Sequence, residues 1–307
     1  MKGNINKALF VALPLALAAC GGGGGGDNPA ADSNKPLAPN NNSSQSINPN
    51  TPDKYGLTSE DRKLVSNYSK EIQGSSSYNG TVIAGRVSEL SNPKMTVVNK
   101  IPEVYKRQLE TNSSLGTVFI PTPADITGIG EKAPGHIGGV DIYQGNSIYS
   151  SATSFRKFDY FLASSDSAYK YIQFGTAKNR DSDPVYISYS RGKTTPESAM
   201  PTSGKAWYLG EFVVPMDFVP SGKSPIGAAL AEVDFANKDM SLRFGLADTY
   251  EGDIKAQIIG SAFLGQSGKK TVAGLFAGSH ADEITGSYAD NDQHISGVFG
   301  AKRQEQP

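Results

Sequence analysis

Three short runs of alternating apolar residues crowd the C-terminal end, at 271–277, 283–288 and 295–299. A Ser-His-Ala-Asp turn at 279–282 separates the first two, and a polar Asp-Asn-Asp-Gln break precedes the third. Side chains along a strand point to opposite faces, so such runs are expected to pack one face and leave the other for solvent. Gly274, Gly278, Gly286, Gly297 and Gly300 recur inside or beside them. Glycine within a strand marks a bulge, a corner or a close backbone approach, which closing a sheet into a small barrel requires. The stretch is therefore expected to supply the last strands of a barrel.

Further alternating runs lie upstream at 206–214, 229–235, 240–246 and 254–259, with Asn237-Lys238-Asp239 as a tight hairpin turn. Together these give seven strands. One or two strands taken from further upstream would complete an eight-stranded antiparallel barrel filled by side chains. Earlier strand signals fall at 81–87, 140–143, 147–149, 155–163, 169–174 and 184–190, with weaker ones at 94–98, 103–109 and 117–120. Residues 121–139 and 191–203 read as loops. Residues 55–73 suit a short helix capped by Thr58 or Ser59, with Glu60 and Asp61 in its first turn. The 34 glycines and 37% hydrophobic content also fit an all-β protein better than a helical bundle. The expected order is a β-rich handle or sandwich at 54–190, then a barrel at 191–307.

The other end reads differently. A positive start (Lys2, Lys7) leads into an apolar run at 8–19 that is shorter than the roughly 20 residues a membrane-spanning helix needs. It ends Leu17-Ala18-Ala19-Cys20, a lipobox. Residues 1–19 are expected to be a lipoprotein signal peptide, with Cys20 as the lipidated residue. An ordinary secretory signal with an incidental cysteine is the alternative. Cys20 is the only cysteine, so the exported domain must rest on packing without an internal disulfide. In the segment 20–53, Cys20 is followed by six glycines and then by a stretch rich in Pro, Asn, Ser and Ala. Such a segment buries too little to offset its ordering entropy and reads as a disordered tether reaching about 30 Å. Gly21 rather than Asp follows the cysteine, which favours the outer membrane.

Catalytic and metal chemistry find little support. His136, His280 and His294 are far apart in sequence and lack zinc-ligand spacing. Ser279, His280 and Asp282 have triad residue types, but neighbours on one turn are not triad geometry. The acidic groups at Asp248, Glu251 and Asp253, at Asp282 and Glu283, and at Asp290 and Asp292 suit solvated loops, with calcium as the alternative. Gly128-Ile129-Gly130 lacks the lysine and helix of a phosphate loop. A net charge of −1 argues against nucleic acid as a partner. No cofactor, no metal and no enzymatic activity are expected. Residues 143–174, however, interleave tyrosine and phenylalanine with serine and asparagine, the composition of recognition loops. Tyr143, Asn146, Tyr149, Phe155, Asp166 and Tyr169 are the candidate ligand contacts. Packing of those aromatics into a sheet core is the competing reading.

Four motifs in order carry a family resemblance. They are Trp207-Tyr208-Leu209-Gly210; Ala231-Glu232-Val233-Asp234-Phe235 followed by Asn237-Lys238; Ile258-Ile259-Gly260-Ser261-Ala262-Phe263-Leu264-Gly265; and Gly274-Leu275-Phe276-Ala277-Gly278 leading to Gly297-Val298-Phe299-Gly300-Ala301-Lys302-Arg303-Gln304. In this order they resemble the barrel of the transferrin-binding-protein-B-like surface lipoproteins of Gram-negative bacteria. Ala277 and Ser279 stand where that family usually has an aromatic residue and a proline. The resemblance implies a handle-plus-barrel fold, a lipid anchor, exposure at the cell surface and capture of a host iron-carrying protein. The mature length accommodates one handle-plus-barrel unit, which is similar to the haemoglobin/haptoglobin-utilisation branch. That branch implies host haemoglobin, alone or with haptoglobin, as ligand, and a TonB-dependent outer-membrane receptor as partner. Transferrin, a complement regulator, free haem or a structural outer-membrane role are the alternatives.

Overall fold

The computed structural model describes residues 51–73, 78–86, 109–110, 117–118, 135–151, 154–179, 185–219, 221–247, 250–290, 292–293 and 295–305. At 81–86, 109–110, 117–118, 135–136, 143–151, 154–158, 161, 179, 185 and 218 it describes the backbone. Residues 1–50, with the expected signal peptide, Cys20 and most of the expected tether, lie outside the described residues, as do Gly128-Ile129-Gly130, Asp248, His294 and the weak strand signal at 94–98.

Chain order begins with helix α1 (Ser59–Glu71). Thr58 caps it in a reciprocal box: its hydroxyl accepts the Asp61 N–H at 3.2 Å, and the Asp61 carboxylate accepts the Thr58 N–H at 2.8 Å. Strands follow as β1 (Asn79–Arg86), β2 (Leu109–Glu110), β3 (Thr117–Val118), β4 (Gly135–Ile137), β5 (Val140–Ser151), β6 (Ser154–Ser164), β7 (Ile172–Asn179) and β8 (Val185–Gly192). The barrel strands are β9 (Lys205–Val213), β10 (Ile226–Asp234), β11 (Asp239–Leu246), β12 (Tyr250–Ile259), β13 (Ala262–Ser267), β14 (Lys270–Ala277), β15 (Glu283–Asp290) and β16 (Ile295–Arg303). Two antiparallel sheets dominate. One is open, in the order β1-β8-β7-β6-β5-β4, and the other is a closed eight-stranded barrel in which β9 pairs with both β10 and β16.

The barrel closes without borrowing a strand from upstream. The eighth strand is β13, which lies between the runs at 254–259 and 271–277 and is not among the expected strands. Gly260 and Ser261 form a two-residue turn between the paired residues Ile259 and Ala262. Gly260 takes φ +62°, a left-handed conformation open to glycine, and a Cβ there would overlap Ser69 of α1. Two separate runs expected at 140–143 and 147–149 are one strand, β5, interrupted by a bulge between Gln144 and Ser147. The 169–174 run starts its strand later, at Ile172, leaving Tyr169 in the preceding turn. Only two-residue pieces form at 109–110 and 117–118 among the described residues there.

Inside the barrel, inward residues of all eight strands fill the lumen. Phe244 stacks on Tyr288 with centroids 4.3 Å apart, and Phe212 and Phe299 close around them at 5.1 and 5.0 Å from Phe244. Alternation is clean on β11 and β12, where Met240, Leu242, Phe244, Ile254 and Ala256 are buried and Ser241, Arg243, Glu251, Asp253 and Lys255 are exposed. A charged exterior around an apolar lumen is the reverse of a membrane-spanning barrel. No helix among the described residues is long and apolar enough to cross a membrane.

On the other side of the barrel the alternation disappears. Every residue of β15 is buried, and β16 is buried from Ile295 to Ala301. Here the open sheet lies against the outer barrel wall, so the solvent-facing side expected for these strands is covered. Ile172 and Phe174 of β7 pack with Leu275, Ala277 and Val298 of the barrel. Helix α1 covers the neighbouring wall at β12 and β13. Ser69 accepts the Ser261 N–H at 2.9 Å, and Arg62 donates to Gln257 at 3.0 Å.

Candidate functional site

The chemistry at the junction of sheet and barrel comes from two barrel carboxylates. Glu283 opens β15 and is 4% exposed. Its oxygens accept the backbone N–H groups of Lys170, Tyr171 and Ile172 at 2.9, 2.8 and 3.1 Å. Three donors satisfy a charge whose burial would otherwise be costly. Glu211 on β9 accepts the Gly139 N–H at 2.8 Å and the Tyr169 hydroxyl. Burial, and then the Glu211 carboxylate, hold the Tyr169 phenol protonated well above the usual tyrosine range. Lys302 stands over the Tyr169 ring at 5.5 Å. Gly300 lets the Phe174 ring reach the barrel wall, since a Cβ at that position would overlap the ring. The segment from Tyr169 to Phe174 is thus held by both apolar packing and oriented hydrogen bonds.

This junction positions a long hairpin. Val140 and Ser164 pair at its base, where Val140 is buried against the barrel, and Ser151 and Ser154 pair at its tip. At about 3.3 Å per residue, β5 carries the tip about 35 Å from the base. Four of the six predicted contact residues lie along this hairpin. Tyr143 pairs with Phe161, Tyr149 with Arg156 and Phe155 with Ser150, while Asn146 sits in the bulge. They lie on strands, as the signals at 140–143, 147–149 and 155–163 imply for three of them, and not on the loops their composition suggested. Asp166 is exposed in the turn between β6 and β7, at the base. Tyr169 is 6% exposed and its hydroxyl is engaged by Glu211, so it braces the junction instead of facing outward. The six residues do not converge on one spot.

Other sequence candidates resolve into structural roles. Glu283 and Asp290 are buried, not solvated. Asp290 accepts the Tyr250 hydroxyl at 2.9 Å and the Asp292 and Gln293 N–H groups at 3.1 and 3.2 Å. Asp282 accepts the Ser279 N–H at 2.8 Å and the Ser279 hydroxyl at 3.1 Å, which makes 279–282 a closed turn and not a triad. Glu251 and Asp253 are exposed on the outer face of β12. No group of three or more His, Cys, Asp or Glu residues suited to a metal ion occurs among the described residues. Sequence reading did not single out Glu211. Nothing in its local sequence distinguishes it from a solvated strand glutamate, because its partners come from residues 139 and 169.

Fold and junction define a class: a closed antiparallel barrel of eight strands with a sheet docked on its outer wall. The family described as the C-lobe and N-lobe β-barrels of transferrin-binding protein B matches residues 200–303. Over these residues the chain is similar to the barrels of transferrin-binding protein B. Transferrin-binding protein B of Moraxella catarrhalis is 30% identical over 169 residues, covering 45% of this chain and 24% of the relative. The chain thus spans about a quarter of that curated relative. Among solved structures, a Trp-176-Ala mutant of transferrin-binding protein B from Haemophilus parasuis (that protein's own numbering) aligns over 75% of this chain and 46% of its own, at 15% identity and a TM-score of 0.46. HpuA of Kingella denitrificans, solved in complex with human haemoglobin, aligns over 76% of this chain and 90% of its own, at 14% identity and a TM-score of 0.44.

Proposed function

We propose that this protein is a lipid-anchored, surface-exposed outer-membrane protein that captures a host iron-carrying protein and performs no catalysis. The observation that carries this reading is a barrel similar to that family's, joined to a projecting hairpin by a junction that Glu211 and the buried Glu283 hold through hydrogen bonds. Such a base fixes the direction of a recognition element and lowers the ordering cost of binding. The lipobox at Cys20 and the 20–53 tether supply the anchor, the 54–190 region the handle, and 191–307 the barrel. Haemoglobin, alone or with haptoglobin, is the proposed ligand, presented to a TonB-dependent receptor that extracts haem. Transferrin is the second reading, favoured by the identity shared with the Moraxella relative.

The test titrates immobilised Cys20→Ser chain with purified haemoglobin, haemoglobin–haptoglobin and iron-loaded transferrin. Saturable haemoglobin binding, lost on joint Tyr149→Ala and Phe155→Ala substitution, is the expected result. Transferrin binding in its place selects the second reading. A folded chain that binds none of the three overturns both.

A further inference from the structure

The outer face of β9 and β10 breaks the polar rule of the barrel exterior. Trp207 and Leu209 are each 50% exposed, and Leu230 is the third large apolar side chain on this face. Leu209 lies directly opposite Leu230, and Trp207 opposite Glu232. A groove of about 570 Å³ runs from Leu209 to Ile137 at the edge strand β4, with Gly210, Gly227 and Ala228 along it. The equivalent outward positions on β11 and β12 are polar or charged. The rows of the sheet also place charge: Lys302, Leu209, Leu230 and Arg243 are successive cross-strand partners on β16, β9, β10 and β11. With strands about 4.8 Å apart, the two cations stand about 14 Å from each other, on either side of the leucine pair.

We infer that this face docks a second protein, separate from the captured ligand, which inserts an apolar side chain set between carboxylates. A half-exposed tryptophan beside leucines on a rigid wall is the arrangement of an interface anchor. The flanking Lys302 and Arg243 select acidic neighbours on the incoming surface. An anionic lipid surface fits less well, because Glu232 stands directly beside Trp207. A second copy of this chain, related by a two-fold axis along the strands, would set Lys302 against Arg243, like charge on like. The face lies at the base of the hairpin, away from its tip, so both partners have room.

The test places a photoreactive benzoyl-phenylalanine at position 207 of the full-length chain in its own cells, with position 255 on the polar wall as control. The expected result is one protein adduct at 207 and none at 255, with the cross-linked peptide carrying an apolar residue near Asp or Glu. The purified pair should then lose about tenfold in affinity on Leu230→Ser and about threefold on Arg243→Glu. Both sites are exposed, so thermal melting should be unchanged, and haemoglobin or transferrin binding should persist. A lipid adduct, a self-adduct, no adduct, or a partner indifferent to both substitutions overturns the inference.

Discussion

Strands β10–β12 and strands β14–β16 belong to the same barrel and share the same glycine-punctuated alternation, yet they meet different surroundings. On β11 and β12 the inward apolar residues alternate with exposed or half-buried ones. On β15 the outward residues are as buried as the inward ones. The difference lies in what each wall touches: water on one side, the handle sheet on the other. A period-two pattern therefore reports which residues fill the barrel but not whether the remaining face is wet. Small and polar outward residues on the covered wall accommodate this burial. Gly300 admits Phe174, and Glu283 receives three backbone donors.

Substitutions matched across the two walls test this contrast. Phe174→Ala should cost about 3–5 kcal/mol by opening a cavity in the covered wall. Leu230→Ala on the open wall should stay within about 0.5 kcal/mol. Chemical denaturation of both measures the gap, and equal losses would break the comparison. Next in size, Glu283→Ala should cost roughly 2–3 kcal/mol, because it strands buried N–H groups of residues 170–172. Hydrogen exchange should quicken at those amides, while Glu283→Gln, which keeps one acceptor, should fall between.

The open wall has its own buried polar element where it meets the covered one. The Tyr250 and Tyr288 hydroxyls lie 2.5 Å apart, and Tyr250 also donates to Asp290. Burial is the main cause that pushes the Tyr288 phenol up to about 12, and it raises Tyr250 as well. A folded value above the unfolded one, about 10, makes this contribution complete below about pH 10 and progressively lost up to about pH 12. Tyr288→Phe should cost about 1 kcal/mol at neutral pH and flatten that alkaline loss, read from melting temperature against pH. The smallest effect belongs to the α1 segment. Burial raises the Asp53 carboxyl, but the Leu57 N–H, Arg62 and the Tyr55 N–H outweigh it, leaving the group below the usual range. Its contribution is present above about pH 4 and lost as the pH falls further, towards the lowered folded value. Asp53→Asn should cost less than about 1 kcal/mol and remove that acid-side slope.

Much of the fold was legible because local rules and the global structure agree. The Thr58–Asp61 capping box, the Asp234 to Asp239 hairpin and the inward residues of β9–β12 all follow from residue spacing. The strand β13 was missed because a two-residue turn leaves no polar break for periodicity to detect. Of the candidate contact residues, Tyr143, Tyr149 and Phe155 fall within strand signals legible in the sequence, but that these strands and Asn146 form one hairpin was not. The burial of Tyr169 was not legible, because an aromatic beside serines reads alike on a surface and at a junction. Glu211 and Glu283 were invisible as clamps, since the amides they hold lie 72 and about 112 residues away in sequence.

By itself, then, the sequence determined the all-β class, the barrel's inward residues, the helix cap and the four family motifs. Each depends on neighbours a few residues apart or on ordered spacing, which a linear chain displays directly. Tertiary structure alone decided which barrel wall is covered, where the eighth strand comes from, which carboxylates are buried and which apolar face is left open. Those outcomes depend on how two sheets meet, and burial is a property of that meeting: the same outward residue is solvated on β11 and enclosed on β15.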